Sequence, residues 1–119
     1  MNEKAKDIHE RIYQFIVRVL RFVSKPPKTY TNLQICGQLI RSVTSIGAND
    51  QEANGTYTKA DFVHCYTIVR KEGNESLFWI RLLGDTNPAI KNESEELIVE
   101  GDEIVRIVST IIYNTKKHS

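Results

Sequence analysis

The sequence predicts an all-α protein folded as an antiparallel, up-down-up-down four-helix bundle. Three observations carry that expectation. Apolar residues recur at helical spacing in four separate stretches. Short segments rich in breakers divide them, at Pro26-Pro27, Asn54-Gly55 and Gly84 to Pro88. No segment alternates with the period of a strand, and no internal repeat or low-complexity tract is present. Four helices with short connections pack as antiparallel neighbours.

The first helix is expected over about 5–24. Ile8, Ile12, Phe15, Ile16, Val19 and Val23 form its apolar face. Arg11, Arg18, Arg21 and Lys25 project from the opposite face, with Asp7, Glu10 and Gln14 among them. Pro26 and Pro27 end the helix, because neither can donate the next backbone hydrogen bond.

The second helix is expected over 31–53, capped by Thr31 or Asn32. Cys36, Leu39, Ile40, Val43, Ile46 and Gly47 make its apolar stripe, and Gln38, Arg41, Ser45, Asn49 and Glu52 a separate polar face. Asp50 projects from the middle of the stripe. Either the helix unwinds there, or Asp50 is partnered, or this part of the stripe meets water. Gly55 suits a left-handed helix stop.

The third helix is expected over 58–83, with Thr58 as cap and Asp61 as an acidic variant of a capping box. It is the longest and most regular stretch. Phe62, Cys65, Val69, Ser76, Ile80 and Leu83 share one stripe, widened by Ile68 and Trp79 on one side and Tyr66 on the other. Glu72 falls inside that arc, where a carboxylate needs a cation or hydrogen-bond donors. Arg41 is the candidate partner for Glu72 or Glu75 across the helix pair.

The fourth helix is expected over 92–114, opened by Asn92 or Ser94 with Glu95 and Glu96 in its first turn. Leu97, Ile98, Gly101, Ile104, Val105, Val108, Ile111 and Ile112 cover about half of its circumference, wider than the ~100° stripe that one bundle core uses. The surplus points to a second contact. Ile104, Ile107 and Ile111 are the candidates for a subunit interface, leaving Val105, Val108 and Ile112 for the internal core.

The 119 residues suffice for one domain, 1–119, with its own core. Charged residues make up 26% and the formal net charge is +1, so any attraction to a polyanion must be local. The N-terminus carries no apolar signal core and no run approaches membrane-spanning length, which places the expected location in the cytoplasm, with no membrane partner. Cys36 and Cys65 lie on apolar faces and read as buried reduced thiols.

No catalytic arrangement is visible. His9, His64 and His118 are scattered and read as solvated or capping residues. The six glycines form no phosphate cradle. Glu72 and Glu75 read as members of a structural ion pair, because no nucleophile or metal motif accompanies them. Ser42 and Ser45 lack a nucleophile elbow. The chain is therefore expected to be no enzyme and to carry no metal or cofactor. The stripe Arg11, Arg18, Arg21 and Lys25 has two readings: a solvated helix face, or a track for a phosphate backbone once assembly multiplies it.

Two motifs carry a resemblance. RS-x-x-SI-x-x-N spans Arg41 to Asn49, and DF…KE-x-x-E-x-x-x-W spans Asp61 to Trp79. On these residues the chain resembles the four-helix-bundle family of the 23S rRNA intervening-sequence protein. It is more remotely similar to the accessory variability proteins of diversity-generating retroelements. Asp50, where the family usually has an apolar residue, and Cys65, where a lysine is common, depart from the pattern. The resemblance implies a bundle that assembles as a barrel-like homopentamer, and relatives that bind nucleic acid through a basic surface. The expected function is thus a non-enzymatic oligomer associated with RNA or DNA; the alternative is a protein-interaction scaffold without a nucleic-acid role.

Overall fold

A computed structural model describes residues 3–118, with side chains from Ile8 onward. Asp7, assigned above to the polar face of the first helix, has a side chain outside the described residues. Four helices run in chain order: α1 (Glu3–Phe22), α2 (Tyr30–Asn54), α3 (Lys59–Thr86) and α4 (Lys91–Lys117), with one 3-10 turn at Pro88–Ile90. α2 packs along α3, α3 along α4, and α1 closes the bundle against α2 and α4. The contacts give antiparallel order. The start of α2 meets the end of α3 through Asn32 and Asn87, and the start of α1 meets the end of α2 through His9 and Asp50. The bundle measures 47 × 23 × 19 Å. None of the described helices is long and apolar enough to cross a membrane.

The core follows the predicted stripes, with local exchanges. In α1, Ile8, Ile12, Phe15, Val19 and Phe22 are buried, and Ile16 and Val23 are only half-buried. Phe22 takes the place expected for Val23 because α1 ends there, and the chain turns with Pro26 tucked inward. In α2, Ile40 is 41% exposed and no part of the core; Ser42 is buried instead, its hydroxyl 2.8 Å from that of Ser76 on α3. Ser42 also donates to the Leu39 carbonyl at 3.2 Å, so both hydroxyl protons find acceptors and two serines can stand in the α2–α3 core at little cost. In α4, Leu97, Gly101, Ile104, Val108 and Ile112 face inward.

Several helix ends differ from expectation. α2 begins earlier, because Thr29 Oγ1 accepts from the Asn32 amide at 3.2 Å; neither Thr31 nor Asn32 is the cap. Asn32 is buried, exchanging side-chain amide hydrogen bonds with Asn87 and donating to the Pro27 carbonyl. Gly55 has φ −96°, so the stop after α2 is not left-handed; its amide closes the last turn on Glu52 and Ala53 carbonyls. Thr58 caps α3, accepting from the Asp61 amide at 3.0 Å. α3 continues past Leu83 to Thr86. Its Gly84 lies so close to α4 that an added Cβ would sit 2.0 Å from Ser94 Oγ. Ser94 is therefore a buried packing residue, and α4 starts at Lys91 without a side-chain cap.

Candidate functional site

The two motif stretches meet along the α2–α3 seam. Arg41 lies between the carboxylates of α3: its Nη1 donates to Glu72 Oε2 at 3.3 Å and its Nη2 donates to Glu75 Oε2. The Trp79 indole N–H donates to the same Glu75 oxygen at 3.1 Å. That hydrogen bond, followed by the Arg41 guanidinium, holds the Glu75 carboxyl below its ordinary value. Glu75 in turn raises the Arg41 guanidinium. On α2, Asn49 donates to the Ser45 carbonyl and hydroxyl. The Asn49 and Trp79 bonds stay within their own helices, and Arg41 carries the charged link from α2 to α3. Charge-assisted bonds of this kind fix the relative position of two helices.

The predicted basic stripe divides into two parts. Arg11 donates to Glu100 at 2.8 Å and to Glu103 at 2.9 Å, and Lys25 pairs with Glu93. The hydrogen bond from Arg11 to Glu100 raises the guanidinium well above its ordinary range. Arg11 and Lys25 therefore hold α1 on α4. Among the described residues, Arg18 and Arg21 have no ion-pair partner and stand exposed. The reason is spacing: the carboxylates Glu93, Glu100 and Glu103 of α4 meet only the first and last cations of the stripe.

The predicted interface side chains also separate. Ile104 is 4% exposed and belongs to the core of its own bundle. It shares a helical face with Leu97, Gly101 and Val108, so no subunit contact can reach it. Ile107 and Ile111 are half-buried and pack against the core margin. The large exposed apolar side chains lie elsewhere, including Leu20 on α1 and Tyr30, Leu33 and Ile40 on α2. Leu33 and Ile40, seven residues apart, share one face. Leu20 lies on the side of α1 that carries His9, Tyr13 and Ile16, which face α2.

A further polar cluster joins three helices at the opposite end of the bundle. Asp50 is 2% exposed and accepts from the Tyr66 hydroxyl at 2.7 Å. His9 Nδ1 lies 2.8 and 2.9 Å from the two Asp50 oxygens. Of the three readings open for Asp50, the partnered one holds. His9 is consequently neither free in solvent nor a cap. Burial first, and the Asp50 carboxylate second, push the Tyr66 phenol far above its ordinary value. Asp50 in an apolar stripe signalled the need for a donor; nothing in the sequence identified His9 or Tyr66 as that donor. Both cysteines are buried free thiols, and burial pushes each upward. No group of three His, Cys, Asp or Glu side chains among the described residues is placed to hold a metal ion.

Comparison with known proteins places this geometry in context. The family model of the 23S rRNA-intervening sequence protein matches residues 4–110. A crystal structure of a Bacteroides thetaiotaomicron protein of unknown function from the S23 ribosomal protein family superposes with a TM-score of 0.79 at 30% sequence identity. The alignment covers 88% of this chain and 97% of that one. A search of curated proteins gave no match.

Proposed function

Because the chain belongs to the 23S rRNA-intervening sequence protein family, we propose that it is a non-enzymatic, self-assembling bundle that binds nucleic acid through exposed cations. The single observation that carries the reading is the exposure of Arg18 and Arg21 without a carboxylate partner among the described residues, beside two cations that do have one. An ion-paired cation gives up its partner before it can neutralise a phosphate, whereas a free one releases counterions directly. Lys28, exposed in the loop that follows α1, extends the set. Three cations per chain make a weak site, and repetition around a closed assembly turns weak sites into avidity. The homopentamer implied by the resemblance would supply that repetition, and the remoter similarity to retroelement accessory proteins points to the same chemistry. A cytoplasmic location agrees with such a partner.

Binding of the purified protein to structured RNA and duplex DNA across a salt series tests the reading. The expected result is an affinity that falls steeply with salt. Arg18→Ala and Arg21→Ala each reduce the slope of log K against log salt by about one, and Arg11→Ala reduces it less. Absent or salt-independent binding would overturn the proposal. It would favour a protein-interaction scaffold, for which the exposed apolar side chains Leu33 and Ile40 on one face of α2 are the supporting observation.

A further inference from the structure

Between the N-terminal half of α1 and the C-terminal half of α2 runs an open groove of about 320 Å³. His9, Tyr13 and Ile16 line it from α1, and Thr44, Gly47 and Gln51 from α2. Gly47 keeps its floor low: an added Cβ would come within 2.8 Å of Ile16 Cδ1. The volume lies at the lower end of the range for small-molecule sites, so a single ring system fills it.

The polar groups in the groove are few and specific. Asp50 already accepts from Tyr66, and His9 Nδ1 lies against both of its oxygens, so that edge of the imidazole is occupied. This leaves His9 Nε2 on the far edge of a ring that lines the groove. Gln51 is exposed and has no hydrogen-bond partner among the described residues, so its carboxamide offers both a donor and an acceptor. The Thr44 hydroxyl is committed to the Ile40 carbonyl at 2.7 Å. Tyr13 is 61% exposed and presents an aromatic face. Among the described residues no Lys or Arg lines the groove, and the one carboxylate, Asp50, is buried and already paired. A carboxylate or phosphate ligand would find no Lys or Arg among them. An aliphatic ligand would cover Nε2 without satisfying it, which is costly.

We propose that this groove binds a planar nitrogen heterocycle of the nucleobase class, stacked on Tyr13 and hydrogen-bonded at its edge by His9 Nε2 and the Gln51 carboxamide. The base can come from a free nucleoside or from a single strand of RNA. Asp50 and Tyr66 act as positioning residues, because they orient His9 without touching the ligand.

Two-dimensional NMR of the full-length protein, titrated with adenosine, with an eight-nucleotide single-stranded oligoadenylate and with indole, tests this. Adenosine should move the resonances of His9 to Ile16 and Thr44 to Gln51. Tyr13→Ala and Gln51→Ala should each weaken it by about tenfold, and Tyr13→Phe should restore it, as loss of one stacking face or one edge contact requires. All three substitutions fall at exposed positions, and thermal melts confirm that the variants fold. Ala48→Trp, also at an exposed position, should block the groove. If adenosine moves nothing there at millimolar concentration, the inference fails. It fails equally if indole binds as well as adenosine and Gln51→Ala changes nothing, since the groove is then merely apolar. Oligoadenylate that shifts the same resonances identifies the strand as a source; adenosine binding without it leaves the free nucleoside. RNA binding that depends on salt and on Arg18, yet ignores Ala48→Trp and Tyr13→Ala, overturns the groove and keeps the function. Adenosine binding in a protein that shows no salt-dependent RNA binding does the reverse.

Discussion

At the scale of single residues, this bundle stands on a few buried polar groups whose partners come from other helices. Asp50 is the sharpest case, held by one donor from α1 and one from α3. Tyr66→Phe keeps the ring and removes a donor to a buried carboxylate, which should cost about 1.5–3 kcal/mol in chemical denaturation. An unchanged midpoint would show that Tyr66 does not support Asp50. The phenol, raised by burial and by Asp50, should contribute to an alkaline absorbance titration only as the protein unfolds. Glu75 gives the acid side. Its folded value is lowered from 4.5 by the Trp79 hydrogen bond and then by Arg41. A carboxyl lowered on folding adds stability that is complete above the unfolded value and is lost as pH falls through the folded one. Glu75→Gln should therefore flatten the fall in melting temperature below about pH 4.5, while lowering stability at pH 7. Parallel pH curves for parent and variant would contradict this. Arg41→Met should lower the melting temperature, because it leaves Glu72, 8% exposed, without its cation.

At the scale of elements, helix existence was legible and helix ends were less so. Periodicity identified all four helices because apolar spacing is the term that tertiary packing rewards. The ends depended on competitions that the sequence states ambiguously. Thr29 and Thr31 are equally able to cap α2, and the loop geometry set by Pro27 selects the former. Gly84 looked like a breaker, yet it continues α3 because the absence of a side chain lets α4 approach at Ser94. Gly84→Ala should destabilise the fold by about 1–3 kcal/mol through overpacking. Adding Ser94→Gly should recover part of that loss, since it removes both atoms nearest the new Cβ. If the double variant is less stable than the single by the full cost of a helical glycine, the close approach is not the cause. Of the candidate sites, the Arg41 seam could be read from the position of Glu72 inside an apolar arc. The splitting of the basic stripe could not be read, because it depends on which α4 carboxylates face α1. The wide apolar arc of α4 misled at Ile104 for a similar reason: its width reflects contact with α1 as well as α3.

At the scale of the whole molecule, charge and apolar surface are distributed to different parts. The α2–α3 and α1–α4 seams pair Arg41, Arg11 and Lys25 internally, in a chain of net charge +1. Such a surface gives one isolated bundle little hold on a polyanion at physiological salt. The exposed apolar side chains Leu33 and Ile40, on one face of α2, offer the physical route to more, since exposed apolar surface on a folded chain marks an interface. Glutamates at Leu33 and Ile40 should break a self-contact there by placing charge against the neighbouring subunit at every interface of a ring, since every subunit carries the substitution. Both positions are exposed in the single bundle, so the melting temperature of the subunit should change little. Light scattering at micromolar concentration should show the parent as an oligomer and the Leu33→Glu/Ile40→Glu variant as a monomer. RNA affinity should fall with it by about 100-fold or more, the typical gain from linking weak sites. The glutamates also add negative charge, so a Leu33→Ser/Ile40→Ser variant controls for repulsion. If that variant is monomeric and binds RNA as tightly as the parent, multivalency is not the source of affinity. A parent that is monomeric under these conditions would remove the assembly altogether.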